Sequence, residues 1–425
     1  MKNGIPYLKP PVSPVSLGKV PEAVCVRLGN GIPVFLIEAG TEDVMRMDFT
    51  FDAGQAMENI PLLASSVNMM LTEGSLNYSS SKLNRILDFH GAFYNLYAEK
   101  DRAGIVIFFM NRHIEKILEL AREILFQPMF PEPELKALMK KRLRWFLVNR
   151  DKVTNLAMDQ FFESIFGKRH PYGKQVTQSD FNNLTPALLS GFHSKYYTPG
   201  KLALIVSGKI HKDAVFLINQ FFGGLHSEGI PQEESSIRIK SEDRKQMHIE
   251  KHGAVQTAIR IGSPSINKLH PDYPGLKVVD VVLGGYFNSR LMKNIREEKG
   301  LTYGIHSIIT SLILSGFKVI STEVSKKSTQ KAIDEIYSEI QLLQKVPVEK
   351  EELEIVRNYM LGGMVRMFDG PFALAESFRS VWEFGLDNSY FYRLADKIKS
   401  IEPDEITALA KTYYSIDDLF QITAG

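Results

Sequence analysis

The chain has 425 residues, 44% hydrophobic and 24% charged. That is the composition of an ordinary globular protein, long enough for two or three domains. Its formal charge of +2 gives no support to a nucleic-acid or membrane-surface partner, and no apolar run reaches the roughly 18 residues of a membrane-spanning helix.

A proline-rich lead-in, 1–22, carries Pro6, Pro10, Pro11 and Pro14. It has no apolar signal core and cannot form an amphipathic transit helix, so the expected location is cytoplasmic. Residues 23–36 then read as a hairpin turning at Gly29-Asn30-Gly31. The one cysteine, Cys25, lies in its first arm. It excludes an internal disulfide and reads as a buried, inert thiol, because apolar surroundings disfavour a thiolate. In 44–51, Met45, Met47, Phe49 and Phe51 alternate with Arg46, Asp48 and Thr50, the pattern of a half-buried strand. Helices are predicted over 61–71 and 79–89, the second capped by Ser79-Ser80-Ser81. Strands follow over 92–98 and 103–110. A long helix then has Ile114, Ile117, Leu118, Leu120, Ala121, Ile124 and Leu125 on one face. Another helix spans 134–148, and a strand at 201–206 closes the first half.

Residues 227–244, with Gly229, Pro231 and Ser235-Ser236, read as a solvated linker. The pattern then restarts: a strand at 255–261, helices at 273–283 and 289–298, strands at 302–310 and 316–323, and a long amphipathic helix at 328–343. The order strand, helix, helix, strand, strand, long helix thus occurs twice. The expected fold class is α+β: two homologous α/β sandwich domains, 23–226 and 245–425, each a mixed sheet with helices on one face.

Several chemistries find no support. Gly200-Lys201 and Gly208-Lys209 lack the spacing of a phosphate-cradling loop. No G-x-S-x-G occurs, and Trp145 and Trp382 read as core. One run, His248-Ile249-Glu250-Lys251-His252, would place two imidazoles and a carboxylate on one face of a strand, a set zinc accepts. A solvated strand face is the plainer account. Finally, Gly284 to Leu291 runs into Ile295-Arg296-Glu297-Glu298-Lys299-Gly300-Leu301-Thr302-Tyr303. Arg296 near a helix end and Tyr303 at the start of the next strand would form a donor pair for a peptide carbonyl or oxyanion. On pattern alone they are a surface arginine and a half-buried tyrosine.

That last stretch resembles the second domain of the insulinase/pitrilysin family of zinc peptidases, which reads G-x-x-x-S-R-L, a helix, then R-E-x-x-G-L-x-Y. Asn30 to Val34, Asp52-Ala53-Gly54, Phe126 to Phe130, His170 to Gly173 and Tyr196 to Pro199 resemble its first domain. The resemblance covers Val24 to the C-terminus and implies two homologous domains closing as a clamshell. The family's zinc motif is H-x-x-E-H on a helix. In register, Ser65 stands for the first histidine, Asn68 for the glutamate, Met69 for the second histidine and Trp145 for the third ligand. No histidine occurs before residue 90. The edge strand that pairs with substrate, G-x-x-N-A-x-T in the family, is altered here to include Ala92, Tyr94 and Asn95. Arg296 and Tyr303 match the family's substrate-holding pair.

The resemblance implies a non-catalytic subunit of a heterodimeric zinc peptidase. It would bind unfolded peptide, hold no cofactor and meet zinc only on a homologous partner chain, acting there through Arg296 and Tyr303 in trans. The alternative is a structural or peptide-binding protein with no proteolysis in its complex.

Overall fold

A computed structural model of the protein describes residues 15, 17–226 and 239–425. Most of the lead-in and the first part of the expected linker, 227–238, therefore lie outside the described residues. The first half contains β1 (Val24–Arg27), β2 (Pro33–Glu38) and β3 (Val44–Phe51), then α1 (Leu63–Met70) and α2 (Ser80–Phe89). It continues with β4 (Phe93–Ala98), β5 (Ala103–Met110), α3 (Ile114–Phe126), α4 (Glu132–Asn149) and α5 (Val153–Phe166). It ends on α6 (Pro186–Tyr196), β6 (Leu202–Gly208) and α7 (Ala214–Phe222). The second half opens with β7 (Gln246–Ile249), β8 (Gln256–Ser265) and α8 (Tyr273–Asp280), which runs on into a π-helical turn at Val281–Gly285; a second π-helical segment, Met292–Glu298, follows a turn. It then has β9 (Ile305–Ser311), β10 (Gly316–Ser325), α9 (Thr329–Lys345) and α10 (Lys350–Arg366). Last come α11 (Pro371–Trp382), α12 (Ser389–Ser400), α13 (Pro403–Tyr413) and β11 (Phe420–Ala424).

The strand orders are β1-β2-β6-β3-β5-β4 and β7-β11-β8-β10-β9. Each sheet is mixed. β2 pairs in parallel with β6 and β7 with β11, while the remaining pairs are antiparallel. Apart from β1 the two orders superimpose, so the duplication read from the sequence is a duplication of sheet topology. The protein is an α/β clamshell of two such halves.

Each sheet packs its own helices on one face. In the first half Met45, Met47, Phe49 and Phe51 meet α1, α3 and α7 through Val67, Ile117, Leu118 and Ile218. In the second, Ile259, Ile261 and Ile320 meet α8 and α9 through Leu276, Val279 and Ile336. The opposite face of each sheet is covered by a helix of the other half. α5 lays Ala157, Phe161 and Ile165 against Ala258, Phe317, Val319 and Ile422. α11 lays Leu374, Ala375 and Phe378 against Ile37 and Ile205. The strand expected to be half-buried, β3, is therefore buried on both faces. Arg46 and Asp48 lie under α11 with essentially no solvent contact.

Other expectations change for local reasons. Cys25 is exposed, because β1 is an edge strand with only β2 beside it. The last residues of the expected linker are not solvated chain: Glu242 N donates to Ser164 O (2.8 Å) and Ser241 Oγ to Ile165 O (2.8 Å), at the C-terminal end of α5. The described end of the lead-in also docks, with Val20 N donating to the Tyr392 hydroxyl at 2.8 Å. A further tie between the halves is made where Asp101 Oδ2 accepts from Ile313 N (3.0 Å) and the Tyr172 hydroxyl from Leu314 N (3.2 Å).

Candidate functional site

α1 carries three of the four positions that the family assigns to zinc chemistry. Leu62, immediately before it, has φ +72, and its carbonyl accepts from Ser65 Oγ (3.2 Å) and Ser66 Oγ (2.6 Å). Asn68 is buried. Its Nδ2 donates to Gly104 O (2.9 Å) and to the Tyr197 hydroxyl (3.3 Å). Residue 104 must be glycine because of its other neighbours, since a Cβ there would lie 2.1 Å from Phe49 O and 2.7 Å from the Tyr97 hydroxyl. Burial raises the pKa of the Tyr197 hydroxyl. Asn68 is thus a structural amide between α1, β5 and the end of α6, and an amide has no titratable proton with which to act as a general base near neutral pH.

The other two positions face solvent. Met69 is 43% exposed, and Trp145, expected in the core, is 70% exposed because the C-terminal part of α4 has little packed over it. What approaches α1 from α4 is Arg142, one turn before Trp145. Its Nη2 donates to Ser65 Oγ at 2.8 Å and its Nη1 to Ser66 Oγ at 2.7 Å. Burial lowers its pKa, and Glu58 opposes that shift. The Glu58 carboxylate accepts from Ala64 N at 2.9 Å, and burial raises its pKa to about 6. These groups do not fit a zinc ion. Zinc sites are built from thiolate, imidazole and carboxylate, whereas here stand an engaged hydroxyl, a donating amide, a thioether and an indole, with a guanidinium bonded to the first.

The second-half pair is present but apart. Arg296 lies in the second π-helical segment and stacks on Phe287, its guanidinium carbon 4.6 Å from the ring centre. The expected strand start at residue 301 is a loop, and β9 begins only at Ile305. Gly300 takes φ +59. Thr302 Oγ1 pins the loop by donating to Glu323 O (2.8 Å) and accepting from Thr322 Oγ1 (3.0 Å). Tyr303 is left 95% exposed. Among the described residues no hydrogen bond or ring contact joins Arg296 to Tyr303.

β4 is the edge of the first sheet. Ala92 precedes it and is buried, the Tyr94 hydroxyl donates to Asn84 Oδ1 (3.2 Å), and Asn95 is exposed. Two of its aromatic residues serve the joint with α11. Phe93 stacks on Phe108 (4.6 Å), which meets Phe372 edge-on (5.2 Å). The Tyr97 hydroxyl donates to Asp48 Oδ1 at 2.8 Å, beneath Arg379.

The histidine run does not form the strand face first considered. β7 ends at Ile249 and His252 lies in a turn. His248 Nδ1 is 2.9 Å from Thr423 Oγ1, and its Nε2 is 3.2 Å from Glu250 Oε2. Sequence reasoning missed Arg142, Ser66 and Glu58. The available signal was a cation one helical turn from the third-ligand position.

No helix among the described residues is long and apolar enough to cross a membrane. Residues 183–360 match the family profile described as "Peptidase M16 inactive domain". The chain is 23% identical over 300 residues to the "Uncharacterized zinc protease YmxG" of Bacillus subtilis, covering 70% of this chain and 72% of that protein. It is 21% identical over 366 residues to the "Non-peptidase homolog YmxG" of Helicobacter pylori, covering 84% and 83%. Its fold is similar to the crystal structure of a peptidase M16 inactive domain from Pseudomonas fluorescens, with TM-score 0.84 at 21% identity over 95% of this chain and 98% of that one. A Helicobacter pylori protease structure gives TM-score 0.84 at 18% identity over 96% and 100%. Through the match over residues 183–360 and these relatives the chain is similar to peptidase M16 proteins, and its positions in register with the zinc motif hold Ser65, Asn68 and Met69.

Proposed function

We propose that this chain is a non-peptidase subunit that binds unfolded peptide, carries no zinc of its own and works beside a homologous chain that does. The observation that carries this reading is Asn68, an amide held by Gly104 and Tyr197 where a peptidase needs a carboxylate base. Tyr303, exposed at the end of a pinned loop, is free to reach a neighbouring subunit. There, with Arg296, it would hold a substrate backbone in trans.

A second reading, a structural or peptide-binding protein with no proteolysis in its complex, is favoured by one observation: Arg296 is packed on Phe287 and not organised with Tyr303. Reconstitution with a homologous chain bearing an intact H-x-x-E-H separates the two. On the preferred reading, chelator-sensitive hydrolysis of an unfolded peptide appears only in the mixture and exceeds that of the zinc-bearing chain alone. Equal rates with and without this chain favour the second reading.

A further inference from the structure

Arg142 is a half-buried cation without a counterion. Two of its five N–H groups are used on Ser65 and Ser66. Among the described residues no carboxylate pairs with it within 4 Å, and Glu58, the acid that influences it, is turned to Ala64 N. None of its nitrogens is buried without a partner, so its unbonded Nε reaches solvent. The two serines hold the far end of the guanidinium and leave the Nε edge open to a fork-shaped acceptor, the geometry in which arginine binds carboxylate. Apolar surface flanks it. Trp145 lies three residues on along α4 and Met69 four residues beyond Ser65 along α1, spacings that share a helical face, and both are exposed.

We propose that Arg142, fixed by Ser65 and Ser66, is a receptor for a peptide carboxylate at the place where the family puts zinc, with Met69 and Trp145 receiving the adjoining apolar side chain. The proposal rests on the reading of this chain as a peptide binder. It changes what that binding selects: the fixed cation recognises a carboxylate in place of polarising a peptide carbonyl. Carboxylate is supplied either by a chain terminus or by an Asp or Glu side chain.

Fluorescence anisotropy on the full chain tests it with labelled unfolded peptides ending in Leu. One has a free C-terminus and no acidic side chain, one is amidated with an internal Glu, and one is amidated without acid. The free-terminus peptide binds at least about tenfold more tightly than the amidated neutral one, the scale of a charge-assisted hydrogen bond. Arg142→Gln abolishes the difference, and Arg142→Lys retains part of it. Preference for the internal Glu peptide instead assigns the site to acidic side chains. Equal binding of all three overturns the proposal while leaving peptide binding intact. A parallel titration with N-acetylleucine, read from the Arg142 Nε–H resonance, covers the case in which no peptide binds. A response then keeps the carboxylate site and removes the peptide-binding reading, and silence removes both.

Discussion

Arg46 on β3 donates through Nη1 to the carbonyl of Phe372, the second residue of α11, at 2.6 Å. The second half repeats the arrangement. Arg260 on β8 donates through Nη2 to the carbonyl of Thr154, the second residue of α5, at 3.4 Å. Each arginine also has a carboxylate on its own sheet, Asp48 for Arg46 (3.5 Å) and Glu323 for Arg260 (2.9 Å). The two halves therefore hold each other's exchanged helix by the same device. Burial lowers the pKa of Arg46 and raises that of Asp48, and each opposes the other's shift.

This device predicts that the halves unfold together. Arg46→Ala leaves Asp48 buried with Arg379 as its remaining cation and should cost roughly 3 kcal/mol, as for breaking a buried ion pair. Urea unfolding followed by circular dichroism should show one transition shifted as a whole. Two separated transitions, or a loss below about 1 kcal/mol, the scale of an exposed pair, would show that the helix exchange does not couple the halves.

Rebuilding the zinc ligands should fail while Arg142 remains. With Ser65→His, Asn68→Glu, Met69→His and Trp145→Glu together, a guanidinium still lies at the first ligand. A second positive charge at such a distance is disfavoured by Coulomb repulsion. Adding Arg142→Ala removes that charge. Metal analysis after dialysis should find zinc retained only in the fivefold variant, with little in the fourfold one and in the natural chain. Stoichiometric zinc in the natural chain would contradict the proposed function.

Lys318 is buried on β10, donating to Ser263 Oγ at 2.5 Å, and burial lowers its pKa from 10.5 to about 8. Below pH 8 it is charged whether the chain is folded or not, and the folded state bears the full burial penalty, on the order of 3 kcal/mol. Between about 8 and 10.5 the unfolded chain binds more protons, so this group's contribution to stability rises with pH. Lys318→Met should therefore raise the melting temperature at pH 7. The gain should shrink towards pH 10, and a gain independent of pH would locate the effect in packing.

In a reconstituted heterodimer, Arg296→Ala and Tyr303→Phe should each slow hydrolysis by about 100- to 1000-fold, the range for one lost donor to developing charge. Assembly and melting temperature should stay unchanged, since Tyr303 is exposed and Arg296 packs only at the surface on Phe287. Full activity in both variants would leave the pair without a catalytic role and favour the second reading.

What could be read from the chain follows where the physics is local. The seven apolar residues predicted on the face of α3 are all buried, and Ser79 caps α2 by accepting from Lys82 N. Periodicity alone misjudged β3. Arg46 and Asp48 look like a solvent face because Phe372 O, Glu376 and Arg379, which close over them beside Tyr97, lie more than 300 positions away. Separation in sequence also concealed α5, whose apolar residues are spent on the other half's sheet. At the degenerate site, alignment gave the four replaced positions, but it looks only at ligands, and Arg142 is not one. The loop at 301–304 was missed because Gly300 and Thr302, not apolar pattern, decide where β9 starts.

The exchange of α5 and α11 imposes an order on synthesis. α5 leaves the ribosome before the sheet it covers and waits with Phe161 and Ile165 uncovered. The first sheet waits too, its second face open until residue 382 has been made. Domains fold as units from the N-terminus while the chain is still growing, and exposed apolar surface at that stage invites aggregation. The middle of the waiting face is Arg46, Asp48, Thr50 and Ser207, groups that water can satisfy until α11 arrives. The charges that look costly in the finished core are suited to the interval of synthesis before it closes.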